Sequence, residues 1–226
     1  MRVKHKPEWK SLLASWKATQ EALRKKIVIQ PIKNLPRYIA GGDAAFSEAA
    51  ALVFGVALVW DRIESRVIEI AHAVQKIEFP YIPGFLSFRE GPALTEAIGK
   101  LKHPFEIICF DGQGMAHPRR CGLAAHLGTM LDLASIGVAK SRLLGTFVAP
   151  KAKKGSHSPL MDGEEQIGIV LSTRDNTNPL FISIGNRVDL PSAKKIVLAS
   201  CTKYRVPEPT RIADIEVAKL KKATLA

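Results

Sequence analysis

The sequence predicts an α/β protein, with a mixed β-sheet carrying helices on its faces. Three observations lead there. Strand-like segments follow one another between residues 39 and 78 as a meander. Helical and strand patterns then alternate to the end of the chain, which is how a sheet covered by helices reads. Between them lies an unbroken apolar run, Ile107-Ile108-Cys109-Phe110, typical of a strand buried on both faces.

In order, Trp9, Leu12, Leu13, Trp16 and Leu23 recur at helical spacing, so residues 8–26 read as an amphipathic helix with a basic outer face. Pro31 and Pro36 break the chain before a strand that holds Asp43. Residues 50–60 and 66–78 are the next two strands, joined by the short polar turn Asp61-Arg62-Ile63-Glu64-Ser65. Residues 91–101 read as a helix with Pro92 in its first turn, where proline is tolerated. After the strand at 107–111 come a helix over 121–134 and a short strand over 136–139. Residues 150–159 are expected to be a long loop. Strands at 166–172 and 179–184 form another pair, and helices over 192–200 and 209–223 close the chain. We expect one domain over 1–226, with 1–30 as a helical extension packed on it.

The composition narrows the partners. In 226 residues, 46% are hydrophobic and 24% charged, an ordinary globular balance. Yet 33 Lys and Arg against 21 Asp and Glu leave +12, unevenly spread. Residues 1–37 carry ten basic side chains and two acids, Glu8 and Glu21, and 138–157 carry five basic residues and no acid. Polyanion binding is the functional reading of that excess, and solubility the bland one. Cys109, Cys121 and Cys201 form no CxxC pair, which argues against a disulfide framework or zinc knuckle and fits a reducing cytoplasm. The basic N-terminus has no apolar stretch behind it and does not read as a secretory leader. The longest apolar run, 49–60, falls short of the ~20 residues of a membrane span. A monomer is expected by default, since no exposed apolar stripe is evident.

Three acids interrupt or end apolar segments: Asp43 after Tyr38-Ile39-Ala40-Gly41-Gly42, Glu90 at the end of Phe88-Arg89, and Asp111 at the end of the 107–110 run. Such acids cost desolvation unless they are paired, hydrogen-bonded or bound to metal. Acids converging from separate elements suit Mg²⁺, which prefers oxygen ligands and acts on phosphate. Each also has an ordinary reading: Asp43 capping a turn, Glu90 capping a helix, Asp111 in an Asp-Gly turn. Tyr81 is presented stiffly between Pro80 and Pro83. Gly84, Gly112 and Gly114 lack side chains and would let backbone approach a flat ligand.

The segments Pro80-Tyr81-Ile82-Pro83-Gly84-Phe85-Leu86-Ser87-Phe88-Arg89-Glu90 and Asp111-Gly112-Gln113-Gly114, followed by His117-Pro118-Arg119-Arg120, closely resemble the endonuclease V family, the deoxyinosine 3′ endonucleases. Ile136-Gly137-Val138-Ala139-Lys140 and Pro207-Glu208-Pro209-Thr210-Arg211 match as well, so the resemblance runs from about Ile39 to Asp214. It implies a ribonuclease H-like mixed sheet flanked by helices. It also implies a DNA repair enzyme that extrudes hypoxanthine and uses Mg²⁺, with Mn²⁺ as a second candidate, to cut the second phosphodiester 3′ to the lesion. The products would be a 3′-hydroxyl and a 5′-phosphate. Carried over, Asp43, Glu90 and Asp111 would be the metal carboxylates and Lys140 a point charge on the scissile phosphate. Tyr81 would fill the gap left by the extruded nucleotide. Gly84, Leu86, Gly112, Gly114 and His117 would line the base pocket, with a backbone wall excluding the 2-amino group of guanine.

Two positions depart from the family pattern. Asp214 stands where many relatives carry His, and becomes a possible fourth metal-site residue, with a surface ion pair to Arg211 as its bland alternative. Asn186 replaces a His common at its turn. Inosine in RNA is an open second substrate, and a structure-specific nuclease of the same fold is the nearest rival. A non-catalytic DNA-binding protein is the rival from another class, and it would have no use for three phosphate-repelling acids.

Overall fold

The computed structural model describes residues 7–226; the expected basic residues Arg2, Lys4 and Lys6 lie outside them. Helix α1 (Pro7–Arg24) leads into strands β1 (Tyr38–Ser47), β2 (Leu52–Asp61) and β3 (Arg66–Lys76). Helix α2 (Leu86–Gly99), strand β4 (Ile107–Asp111), helix α3 (Leu123–Met130) and strand β5 (Ser135–Ala139) follow. Strands β6 (His157–Asp162), β7 (Glu165–Leu171) and β8 (Leu180–Asn186) and helices α4 (Leu190–Ser200) and α5 (Glu208–Leu225) complete the chain.

All eight strands form one sheet in the order β3-β2-β1-β4-β5-β8-β7-β6. The early meander is present: β1 pairs antiparallel with β2, and β2 with β3. Only the central pairs β1–β4 and β4–β5 are parallel, so the sheet is mixed, as the alternation in sequence predicts. β4 and β5 are buried almost throughout, which is why their residues read as continuous apolar runs.

The two faces have separate cores. Ile39, Val56, Leu58, Ile107, Cys109 and Ile136 pack with Ala193, Val197, Ala213 and Val217 of α4 and α5. Ala40, Ala57, Ile108 and Phe110 pack with Leu94 and Ala97 of α2 and Leu123 and Leu127 of α3. Alternate residues of β1 and β4 thus serve opposite faces, as strand pleating requires. A third cluster joins α1 to the segment before α2: Trp16 packs on Ile82 and Phe85, with Trp9, Leu13, Phe79 and Phe88 around them.

Three expectations need correction. The helix expected from residue 91 begins at Leu86, so Glu90 lies in its second turn and does not cap it, and Pro92 sits inside the helix. Flanking packing of Phe85 on Trp16 and of Ala93 on Gly55 holds the helix across that proline. The 150–159 segment does not stay irregular: β6 starts at His157 and carries Pro159, which an edge strand tolerates. Finally, α3 is shorter than expected, its last turn closing at Leu131. No helix among the described residues is long and apolar enough to cross a membrane. All three cysteines are free and buried, and burial pushes each thiol up to about 12.

Candidate active site

The parallel register sets Gly42 beside Phe110, so the next residues, Asp43 and Asp111, emerge together at the ends of adjacent strands. The β4–β5 register pairs Asp111 with Val138, which brings Lys140 just beyond β5 to the same end of the sheet. The fourth member comes from α5. A side chain at Gly41 would collide with the Pro209 carbonyl, so the helix can lie directly on β1 only because that position is glycine. Two residues along β1 advance about 7 Å, and five along α5 about 7.5 Å, so Asp43 and Asp214 arrive side by side. Asp43, Asp111 and Asp214 each offer a carboxylate oxygen within 4.8 Å of the others.

Lys140 sits among them, its Nζ 2.6 Å from Asp111 and 2.8 Å from Asp214. Burial opposes its charge, yet hydrogen bonds to those two acids outweigh it and hold the amine above its usual range. The ordinary readings of these residues change accordingly. Lys140 is not a freely solvated neighbour of Arg142. Asp214 does not pair with Arg211, whose guanidinium instead grips Glu208.

Burial, then the Asp111 and Asp214 charges, push Asp43 up to about 8, against one hydrogen bond donated by the Ala44 N–H at 2.9 Å. Glu90 is also pushed up to about 8, by burial and then by Asp43, with Arg89 opposing. Glu90 is therefore an electrostatic neighbour of the cluster, although it stands outside the group of three whose oxygens converge. The hard oxygen donors of Asp43, Asp111 and Asp214 suit a divalent cation, whose charge would relieve the crowding that raises Asp43 and Glu90.

Beside the cluster lies a cavity of about 370 Å³, lined by Tyr81, Gly84, Leu86, Gly112 and His117 and sharing Asp111 and Lys140 with the acid site. That size suits a small flat ligand. Gly114 stands apart from it: its N–H donates to Ser183 at 2.8 Å, and a side chain there would collide with the Ile184 carbonyl. Its glycine serves strand packing rather than the cavity wall, a correction to the expected pocket. Gly112, by contrast, lines the cavity, and a side chain there would meet Leu123 side-chain atoms first, at 3.3 Å.

The wall is braced from behind by His117, Arg119 and Gln20, the last of which carries no signal in the sequence. The Gly84 carbonyl accepts from Gln20 Nε2 and His117 Nε2, each at 3.2 Å, and from the Arg119 guanidinium. Gln20, fully buried on α1, also donates to the Cys121 carbonyl at 2.9 Å and accepts from Arg119. Burial, then the Arg119 charge, lowers His117 to about 4, so the ring is neutral. Tyr81 itself is 45% exposed at the cavity mouth, while Phe79 and Ile82 on either side anchor its loop to Trp16. Ser87 and Gln113 line the cavity as well; Ser87 Oγ lies 2.9 Å from His126 Nδ1 and Gln113 donates to the Ser141 carbonyl at 3.1 Å. Asn186 is structural: its amide bonds the backbone of Val28, Gly128 and Leu133.

Acids converging at the ends of two central parallel strands, inside a ribonuclease H-like sheet on a strongly basic chain, define a phosphodiester-cleaving hydrolase. The comparisons with known proteins make this particular. The Endonuclease V family model matches residues 21–215. Endonuclease V of Roseiflexus sp. (strain RS-1) is 43% identical over 206 residues, 91% of this chain and 92% of that protein. The crystal structure of endonuclease V from Streptomyces avermitilis superimposes with a TM-score of 0.90 at 38% identity, covering 94% of each chain. That of Ciona intestinalis endonuclease V, in complex with a 24mer DNA containing an inosine followed by a ribo-adenosine, gives 0.83 at 28% identity, covering 95% of this chain and 100% of that one. The chain belongs to the endonuclease V family.

Proposed function

We propose that the protein is a Mg²⁺-dependent repair endonuclease that recognises deoxyinosine and hydrolyses the second phosphodiester bond on its 3′ side. One observation carries this reading: the acid cluster and the base-sized cavity share Asp111 and Lys140, so a base held in the cavity places a nearby phosphate at the acids. The inosine-containing DNA bound by the Ciona relative supports the choice of base.

Asp43, Asp111 and Asp214 would hold the metal, with Glu90 completing its surroundings. Bound Mg²⁺ would neutralise phosphate charge and lower the pKa of attacking water. Lys140 contributes a fixed positive charge beside the scissile phosphate. Water oxygen bonds to phosphorus, the P–O3′ bond breaks, and a proton ends on the 3′ oxygen, leaving a 3′-hydroxyl and a 5′-phosphate. Tyr81 would fill the space left by the extruded nucleotide, a step that costs least at a poorly paired base such as inosine. Gly84, Leu86 and Gly112 would form the base wall, with neutral His117 beside them. The chain would act as one monomeric cytoplasmic unit, a single domain with α1 as the helical extension packed on it.

The test compares oligonucleotides differing by a single inosine, with Mg²⁺ or with EDTA. A nick one nucleotide beyond the inosine, absent from the plain strand and with EDTA, is the expected result. Equal cutting of both strands removes the base reading and leaves the metal site. Because the Ciona complex carries a ribo-adenosine after its inosine, inosine in RNA is the second reading, and an all-RNA strand in the same assay decides it.

A further inference from the structure

The acid cluster has a second neighbour, reached along α5, none of whose residues lines the cavity. Glu208, Arg211 and Asp214 are spaced three residues apart on α5, so they form one row, each about 4.5 Å further along the helix. Asp214 belongs to the cluster through Lys140. At the next step of the row, the Arg211 guanidinium lies 4.3 Å from the ring centre of Tyr204, held there by Glu208, which also accepts a hydrogen bond from Thr202. Tyr204 is nevertheless 42% exposed, with the Lys203 ammonium 6.0 Å from its ring centre. The ring is thus fixed on one side by a stacked cation and open to solvent elsewhere.

The surrounding surface is positive. Lys154 donates to the Cys201 carbonyl at 3.2 Å, tying its segment to the base of the Tyr204 loop, and Lys151 and Lys153 are exposed beside it. The acids of these segments are engaged: Asp175 accepts from the Lys154 N–H and Glu208 grips Arg211. An exposed, pre-oriented aromatic ring set among cations matches the way single strands are held, with bases stacked on aromatics and phosphates near Lys and Arg.

We infer that Tyr204, with Arg211, Lys203 and the 151–154 segment, forms a stacking platform for the substrate strand 3′ of the scissile bond. The direction rests on the proposed function: with the lesion in the cavity and the cut at the cluster, the strand leaving past Asp214 is the 3′ side. Binding to a platform of this kind does not itself require inosine.

Anisotropy titrations of native protein, Tyr204→Ala and Tyr204→Phe with single-stranded DNA in EDTA test it, using plain and inosine-bearing strands and strands trimmed on the 3′ side. Tyr204→Ala should weaken binding roughly 5- to 50-fold on both full-length strands, and Tyr204→Phe by no more than about 2-fold, since stacking needs the ring and not the hydroxyl. The difference between native and Tyr204→Ala should vanish on inosine strands trimmed on the 3′ side, where the lesion fixes the register. Lys203→Ala, which leaves the ring in place, should lower the salt slope by about 0.7 and gives an independent reading should Tyr204→Ala fold poorly. Native-like binding by both Tyr204→Ala and Lys203→Ala overturns the proposal, and so does a Tyr204→Ala loss that survives 3′ trimming of the inosine strand. Failure of the inosine reading would show differently, as native protein that treats plain and inosine strands alike.

Discussion

The two halves of the site are built on opposite principles. In the acid cluster, Asp43, Asp111 and Asp214 bring carboxylates within 4.8 Å, and among the described residues Lys140 is the cation set between them. In the cavity wall, Gly84 takes three donors, and Gln20 bonds on both sides of its amide. One region is held in place by the fold against its own repulsion; the other is held by satisfied hydrogen bonds. The contrast separates residues that should cost activity from residues that should cost stability.

Asp43→Asn carries the largest expected effect: cleavage should fall on the order of 10³-fold, because a neutral amide is a poor metal ligand. Its stability should move the other way. Asp43 and Glu90 in the metal-free fold hold protons up to about pH 8, whereas unfolded carboxyls release theirs near pH 4. The native state therefore binds more protons between those values, and stability falls as pH rises through that window. Metal-free Asp43→Asn should melt with the native protein near pH 4 and above it near pH 9. Melting below native at both values would contradict the repulsion account.

Gly114→Ala and Gly112→Ala divide the two halves next. The first places a methyl against the Ile184 carbonyl and should cost about 3 kcal/mol of stability, read from denaturant melts. The second meets the Leu123 side chain at 3.3 Å or more, with no backbone atom nearer, and should fold nearly normally, yet lose inosine cleavage about 10-fold. Equal stability losses for the pair would remove the distinction. A smaller effect belongs to Gln20→Ala, which leaves the Cys121 carbonyl and Arg119 short of partners and should cost about 1–3 kcal/mol. Its cleavage defect should be in KM more than kcat, since it braces the wall without touching the acids.

The acid half is largely legible in the sequence; of the braced half, Gly84 and His117 are legible and Gln20 is not. Asp43 and Asp111 announce themselves because a carboxylate at the end of an apolar strand is an anomaly that needs a reason. Asp214 carries no such mark on an amphipathic helix, and its position depends on Gly41 letting α5 onto β1, a contact that joins distant parts of the chain. Gln20 looks like any polar residue on a surface helix, because its partners lie 64 and 101 residues away. Glu90 stands out in the sequence, but its place in the helix does not, since Pro92 reads as a helix start while tertiary packing carries α2 across it from Leu86. Strand β6 is hidden in the sequence because His157-Ser158-Pro159 has loop composition, and its place at the sheet edge makes a strand of it.

The central claim is that the crowded acids form a divalent-cation site, and a melting titration tests it most directly. Native protein and Asp43→Asn would be melted at pH 8 across a Mg²⁺ series, with Ca²⁺ and Mn²⁺ alongside. The account predicts a saturable rise of about 3–8 °C for the native chain and almost none for Asp43→Asn. An equal rise in both proteins, or none in either, would contradict it.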